Sequence, residues 1–408
     1  MKTDAIVVLG RRDLTDDLRT ILTFNLPVVL LNPHITLQDA LLVDWPIEVD
    51  LNDEPKAFQA LERVRERHHI KTVFTINQYR LTLAAKMREH LGISHGMSVK
   101  AAEQSGSKVL TRKVLQEHHL SPIEYRVVTS PAEALKVLPN LTLPVIVKPA
   151  NDAGSNLVQK CETMEEVWEA VSRIRSQGQN WVNQPFDREI LLEEFLEGPE
   201  YSVEAASDQS ETRIVAITEK HTVGAIEAGH LVPAALNPQD QEAIGQLVVD
   251  VLNALGIQDT VTHTEVKLTP QGPRIIEVNS RVGGDHIHEL VHHVTGTHLV
   301  QLSLHLHLGG TLRDHLPDLP RAPSAMARFL VAEASGVFDY QPEALEHSDQ
   351  VVGWHLTHLP GRTVKQSTSN YDRLGYFICH GTPDQSALTV AHQVLQDLQL
   401  TVKPPQLT

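Results

Sequence analysis

Cysteine is scarce: Cys161 and Cys379 are the only two in 408 residues. Two thiols so far apart give neither a disulfide framework nor a CxxC metal or redox motif, and they predict a reducing, cytoplasmic setting. Positive charge is also short, with 35 Lys and Arg against 51 Asp and Glu and a formal charge of -16. Such a surface repels phosphate backbones and anionic lipid, so no nucleic acid and no membrane are expected as partners. A small anionic ligand therefore needs a locally basic pocket. The apolar run at residues 5–9 is too short, and too closely followed by Arg11 and Arg12, for a signal peptide or membrane span, and is expected to be a first strand. Neither GxxxxGK[ST] nor GxGxxG occurs, so any nucleotide is held by other means. A Gly-x-Ser-x-Gly elbow and internal repeats are missing too.

What is present is a globular composition, 41% hydrophobic and 21% charged, in a chain too long for one core. Apolar strands at residues 5–10, 27–31 and 73–75 alternate with helical spacing, which predicts an open parallel α/β unit. Helices follow at 81–91, stopped by Gly92, and at 107–118, stopped by Leu120-Ser121-Pro122. Strand, loop, strand and helix then succeed one another at 144–148, 150–156, 157–160 and 162–175. Segments 190–195, 201–205, 212–218, 262–268 and 274–278 are expected to form one antiparallel sheet crossed by a helix at 240–255. Short strands and a closing helix at 385–398 predict a small packing domain. The fold class is thus α/β and α+β multidomain. The expected divisions are 1–105, 106–312 with a lid at about 122–188, and 313–408.

Three segments carry candidate chemistry. Pro144-Val145-Ile146-Val147-Lys148-Pro149 ends an apolar strand on a cation, and the small-residue loop Asn151-Asp152-Ala153-Gly154-Ser155-Asn156 follows. Backbone N–H groups of such a loop can reach phosphate oxygens beside a lysine charge, although a lysine snorkelling from a strand end reads the same way. Glu193-Glu194-Phe195-Leu196-Glu197-Gly198-Pro199-Glu200 breaks a strand at a Gly-Pro turn. It can offer backbone groups to an adenine edge and a carboxylate to ribose, or be a solvated acidic hairpin. The third segment places Glu265 on one strand and Glu277-Val278-Asn279-Ser280-Arg281 on the next. Glu277 and Asn279 share a strand face, and a hairpin sets Glu265 beside them, giving the oxygen donors that magnesium takes. Arg281 can meet phosphate or a developing oxyanion. An acidic hairpin balanced by one arginine is the plain alternative. His286, His288, His292 and His293 lack a completing cysteine or carboxylate pair and are read as surface or packing residues.

Taken in order, these segments resemble the ATP-grasp superfamily, with its lysine helix, lysine strand, small-residue loop, hinge and Glu...Glu-x-Asn-x-Arg. The likeness runs over nearly the whole chain, including Arg373-Leu374-Gly375 and Gly381 near the end, and is nearest to the L-amino acid ligases, which are dipeptide synthetases. The resemblance implies an ATP-grasp fold with an amino-terminal open α/β domain and a small carboxy-terminal domain. It implies that Lys108 and Lys148 contact ATP phosphates under a loop containing Gly154 and Ser155. Glu193 and the backbone of Glu194, Phe195 and Leu196 would hold adenine, and Glu200 the ribose. Glu265, Glu277 and Asn279 would carry Mg2+, or Mn2+, with Arg281 and Lys148 catalytic. Lys220 and the segment with Glu227 and His230 resemble the strand and loop on the substrate side, beside Arg281; turn chemistry accounts for that Gly-His-Pro spacing equally well. The family more often has more glycines in the loop than this chain does.

By this resemblance the expected reaction is ATP-dependent carboxylate–amine ligation through an acyl phosphate, and the expected substrates are a small carboxylate and an amine, amino acids first. Bicarbonate activation of the carboxylase or purine-biosynthesis type, delivery to a carrier-protein thiol, and a nucleotide binder without turnover are the alternatives. A homodimer is the expected assembly.

Overall fold

The computed structural model describes residues 2–10, 15–224 and 226–403; Arg11 and Arg12 lie outside the described residues. The chain opens with a parallel sheet, β1 (Thr3–Leu9), β2 (Val28–Asn32), β3 (Trp45–Glu48) and β4 (His68–Phe74), in the order β3-β2-β1-β4. Helices on both faces require apolar side chains on both faces. Accordingly Ile6, Val8, Leu30 and Phe74 enter one core, while Ala5, Val7, Leu9, Leu31 and Val73 enter another with the helices Glu54–Arg67 and Leu81–Leu91.

A second sheet, order β5-β8-β6-β7, is antiparallel: β5 (Tyr125–Val128), β6 (Val145–Pro149), β7 (Gln159–Cys161) and β8 (Ile190–Glu194). Helices Pro131–Val137 and Met164–Ser176 cover it with Ala134, Val167, Ala170, Val171 and Ile174. This corrects the expectation that residues 190–195 join the large antiparallel sheet. The Gly198-Pro199 turn separates β8 from the next strand, and β8 is apolar on both faces: Ile190 and Leu192 enter the core under the two helices while Leu191 packs on Val109 and Ala150.

The large sheet holds β9 (Glu200–Ser207), β10 (Thr212–Val223), β11 (Ile226–Val232), β12 (Thr260–Thr269), β13 (Gly272–Asn279), β14 (Ala325–Leu330), β16 (Val351–Leu356) and β18 (Gly375–His380). Its order is β13-β12-β9-β10-β11-β14-β18-β16, so the carboxy-terminal strands extend the central sheet. The intervening β15 (Gly336–Asp339), β17 (Arg362–Val364) and β19 (Thr401–Lys403) pair separately, beside the helix Ala387–Leu398. Strand alternation sends Tyr201, Val203, Ala205, Ile217 and Val266 under the helix Pro238–Ala254, and leaves Ser202, Glu204 and Glu265 for the opposite side. Among the described residues no helix is long and apolar enough to cross a membrane.

Candidate active site

The β12–β13 hairpin sets Glu265 opposite Glu277 and His263 opposite Asn279, and β9 places Ser202 opposite Glu265 and Glu204 opposite His263. Lys220 of β10 reaches into this acidic face. Its Nζ lies 2.9 Å from Glu200, 2.9 Å from Glu227 and 2.8 Å from Glu265. Burial alone would lower the Lys220 pKa, but Glu265, Glu227 and Glu200 raise it well above its ordinary value. The Glu265 carboxyl is likewise held well below the usual range by Lys220 and His263, against the opposing effect of burial. His263 stands 2.6 Å from Glu204. Despite its burial, Glu204 and Glu265 push it up to about 9. Asn279 is 3% exposed, and among the described residues its Oδ1 has no hydrogen-bond partner.

Beside the hairpin opens a cleft of about 330 Å3 whose walls include Tyr79, Lys108, Arg112, Lys148, Asp152 and Glu277. Ser107 caps the helix Lys108–Glu117 through the Leu110 N–H, and one helical turn brings Lys108 and Arg112 to the same side. Lys108 Nζ donates to the Asp152 carbonyl and lies 3.1 Å from Glu277. Arg112 and Lys148 both grip Glu193, at 2.6 Å and 2.5 Å. The buried Glu193 carboxyl stays lowered because Arg112 and Lys148 outweigh desolvation. Both cations also donate to β13 carbonyls, Arg112 to Ile275 and Lys148 to Ile276. This network ties the lid sheet to the hairpin.

At the strand exit the Glu194 N–H donates to Glu124 and the Phe195 N–H to Pro144, while the Leu196 carbonyl accepts from Lys267. The Phe195 ring lies 4.3 Å from Lys160 Nζ and 5.1 Å from Lys267 Nζ. Gly154 and Ser155 both adopt positive φ. Their loop is braced at Asp152, which accepts from Tyr79 Oη at 2.6 Å and Asn156 at 2.7 Å.

Farther along the sheet, Glu227, His230 and Asp285 present oxygen and nitrogen atoms within 4.8 Å of one another. His230 is fully buried; its Nε2 lies 3.7 Å from Glu227 and 4.0 Å from Asp285, and among the described residues neither ring nitrogen has a partner within ordinary hydrogen-bond distance. That geometry suits a metal, but Glu227 is already paired with Lys220, and Arg373 donates to both oxygens of Asp285, at 3.0 Å and 2.9 Å. Neighbouring cations disfavour a further one. Arg281 donates to the Val282 carbonyl.

The structure thus brings Lys108, Lys148, Glu193 and Glu277 to one cleft, and joins Glu200, Lys220, Glu227 and Glu265 through a single ammonium. Glu193 faces cations within the protein, and Glu200 faces Lys220. Sequence reasoning missed Arg112, legible four residues after Lys108, and missed His263 and Glu204, which become partners only through strand pairing. Among the described residues, His286, His288, His292 and His293 form no three-ligand metal cluster. His286 and His292 instead pair with Glu289 and Asp318, and His293 with His380.

Residues 141–289 match the ATP-grasp domain, and residues 328–403 match the L-amino acid ligase C-terminal domain 2. An uncharacterized protein of Sinorhizobium fredii is 27% identical over 76% of this chain, which spans 64% of that relative's length. The alanine–anticapsin ligase of Bacillus subtilis is 25% identical over 88% of this chain and 83% of its own. The solved L-amino acid ligase of Bacillus licheniformis superposes with a TM-score of 0.79 at 21% identity, covering 99% of this chain and 100% of that one. The last likeness is one of fold.

Proposed function

We propose that the chain, an ATP-grasp protein ending in an L-amino acid ligase C-terminal domain, is an ATP-dependent carboxylate–amine ligase that joins small molecules, amino acids first among them. The observation that carries this reading is the meeting of Lys108, Lys148 and Glu277 at one cleft, with Glu265 directly opposite Glu277. Cations for phosphate and oxygen donors for a hard metal then converge in an otherwise acidic protein.

The Oδ1 of Asn279, without a hydrogen-bond partner among the described residues and two positions from Glu277 on the same strand, fits an oxygen-bound divalent cation. Glu265, Glu277 and Asn279 would hold Mg2+, or Mn2+, which when bound offsets charge on the nucleotide phosphates. Lys108 and Lys148 bind ATP phosphates, and the loop carrying Gly154 and Ser155 covers them and excludes water. The backbone at Glu194, Phe195 and Leu196 lies along adenine, with Glu193 fixing Lys148 behind it.

A carboxylate is a poor electrophile because it must lose oxide to form an amide. Transfer of the γ-phosphoryl to one carboxylate oxygen gives an acyl phosphate and ADP. A neutral amine then attacks the acyl carbon, Arg281 steadies the tetrahedral oxyanion, and phosphate departs with the oxygen it received. Glu227 and His230 form the substrate side, where an amine-bearing acid meets the Glu227 carboxylate and the buried His230 imidazole. The Cys161 and Cys379 thiols, both buried and free, suit a cytoplasmic protein. A homodimer is the assembly we propose for it.

The test is ADP release with Mg-ATP across single and paired L-amino acids, with and without bicarbonate. Release that requires a pair, yields an amide by mass and collapses in Arg281→Ala supports the ligase. Release that needs bicarbonate alone replaces it with carboxyphosphate chemistry.

A further inference from the structure

The carboxyl ends of β1–β4 open onto a second cleft, of about 1060 Å3, whose walls include Gly10, Glu48, Asp50, Asp53, Arg80 and Trp181. In open α/β sheets, ligands bind outside the carboxyl ends of the strands, where the strand order reverses. Here the order β3-β2-β1-β4 reverses between β1 and β4, and Gly10 and Asn77 follow those two strands.

Arg80 makes this cleft more than a surface hollow. It is 2% exposed, and among the described residues its one hydrogen-bond partner is the neutral Asn52, 2.7 Å from Nη1. No described carboxylate lies within ion-pair distance. The other buried arginines nearby are differently placed: Arg88 donates to the Val73 and Met97 carbonyls, and Arg112 is paired with Glu193. Asp50 favours its charge only from beyond ion-pair distance, and burial outweighs that; a guanidinium withdrawn from water without a paired anion is costly, and an anion entering the cleft would offset that. Gly10 makes the room, since it sits at φ +60 and a Cβ there would stand 3.2 Å from Arg80 Cγ.

The remaining walls are acidic. Asp53 is neutralised by Lys56 at 2.7 Å, whereas among the described residues Glu48 and Asp50 accept backbone N–H bonds alone, from Ile35 and Asn52, and Glu48 lies a distant 3.9 Å from His34. A phosphate or dicarboxylate would be repelled by this rim. A zwitterion satisfies both ends.

We propose that this cleft is a second small-molecule site, which binds an amino acid or short peptide with its carboxylate on Arg80 and its ammonium toward Glu48 and Asp50. It is separate from the nucleotide cleft yet shares a wall with it. Gln78 and Tyr79 face the nucleotide side while Asn77 and Arg80 face this one, and across the gap Gln184 and Trp181 divide in the same way. Asn52 also donates to the Val182 carbonyl at 2.8 Å, closing the lid segment over the cleft.

The test needs no turnover and so stands apart from the ligase reading. The full chain without nucleotide is titrated calorimetrically with L-amino acids and dipeptides, each beside its C-terminal amide and its N-acetyl derivative. At least tenfold weaker binding is expected for both derivatives, for Arg80→Gln and for the exposed Asp50→Asn, with ADP binding retained in each variant as the check on folding. Should Arg80→Gln not fold, Asp50→Asn decides alone. Binding lost in Glu227→Gln but intact in Asp50→Asn and Arg80→Gln overturns the proposal, as does equal binding of the amides or no binding at all.

Discussion

Glu265 and Glu277 face each other across the β12–β13 hairpin, yet each is held by a different lysine, Glu265 by Lys220 and Glu277 by Lys108. Lys220 and His263 hold the Glu265 carboxyl well below the usual range against its burial, and a cation thus stands beside each of the two half-buried carboxylates at the place where a metal would sit. Glu277→Gln removes one of the carboxylates proposed to hold the metal and leaves Lys108 without that counter-charge. The expected result is a Mg2+ requirement for ADP release raised at least about tenfold, with folding retained. A magnesium titration of initial rates checks it, and an unchanged requirement removes Glu277 from the metal site.

Glu193 bridges Arg112 and Lys148 below the cleft. Glu193→Gln leaves two buried cations without their anion, and a loss of about 3–5 kcal/mol of stability is expected. Urea unfolding measures it. A variant as stable as the parent would mean that the two cations find anions elsewhere.

His307 is fully buried beside Arg88, and its Nδ1 lies 2.8 Å from the Ser303 carbonyl, which only an N–H can satisfy. Burial, then Arg88, lowers its pKa from 6.5 to about 3. Between these values the unfolded chain binds a proton that the folded chain does not, so stability falls with pH from 6.5 toward 3. One such proton contributes a slope of at most about 1.4 kcal/mol per pH unit. His307→Phe should flatten the wild-type loss between pH 6.5 and 5, read from urea midpoints, and parallel slopes in the two proteins would count against a neutral buried imidazole.

Gly198 sits at φ +133, and a Cβ there would lie 2.1 Å from the Leu268 carbonyl oxygen. Gly198→Ala is therefore strained twice, by backbone and by collision, and a loss of more than about 1 kcal/mol is expected. Because the turn leads from the hinge into β9, ADP affinity should fall as well. Calorimetry of ADP binding beside thermal unfolding tests both, and normal values for each would show that the turn can shift freely.

Arg373 holds Asp285 with two hydrogen bonds and lies 3.9 Å from the Phe329 ring centroid. Arg373→Ala should raise the KM of the acid substrate about tenfold while the KM for ATP is unchanged, because the pair borders Glu227 and His230 and lies away from Lys108 and Lys148. Steady-state kinetics with each substrate varied in turn separates the two, and a rise confined to ATP would place the pair on the nucleotide side.

Much of this protein is written locally. The apolar runs of β1 and β2, the Ser107 cap, the Gly92 stop and the Glu265...Glu277-x-Asn279 hairpin are carried by near neighbours in the chain, where periodicity and turn residues suffice. So is the lysine at the end of β6. Partnership across strands is another matter. That β8 belongs to the lid sheet, that Glu193 lies between Arg112 and Lys148, and that one ammonium of Lys220 gathers Glu200, Glu227 and Glu265 all depend on register. The sequence by itself determined which strands are apolar and where the turns between them fall, because those follow from short-range sterics and burial. Only the tertiary structure decided which charges meet, because a one-residue change in pairing reverses the face on which every side chain lies.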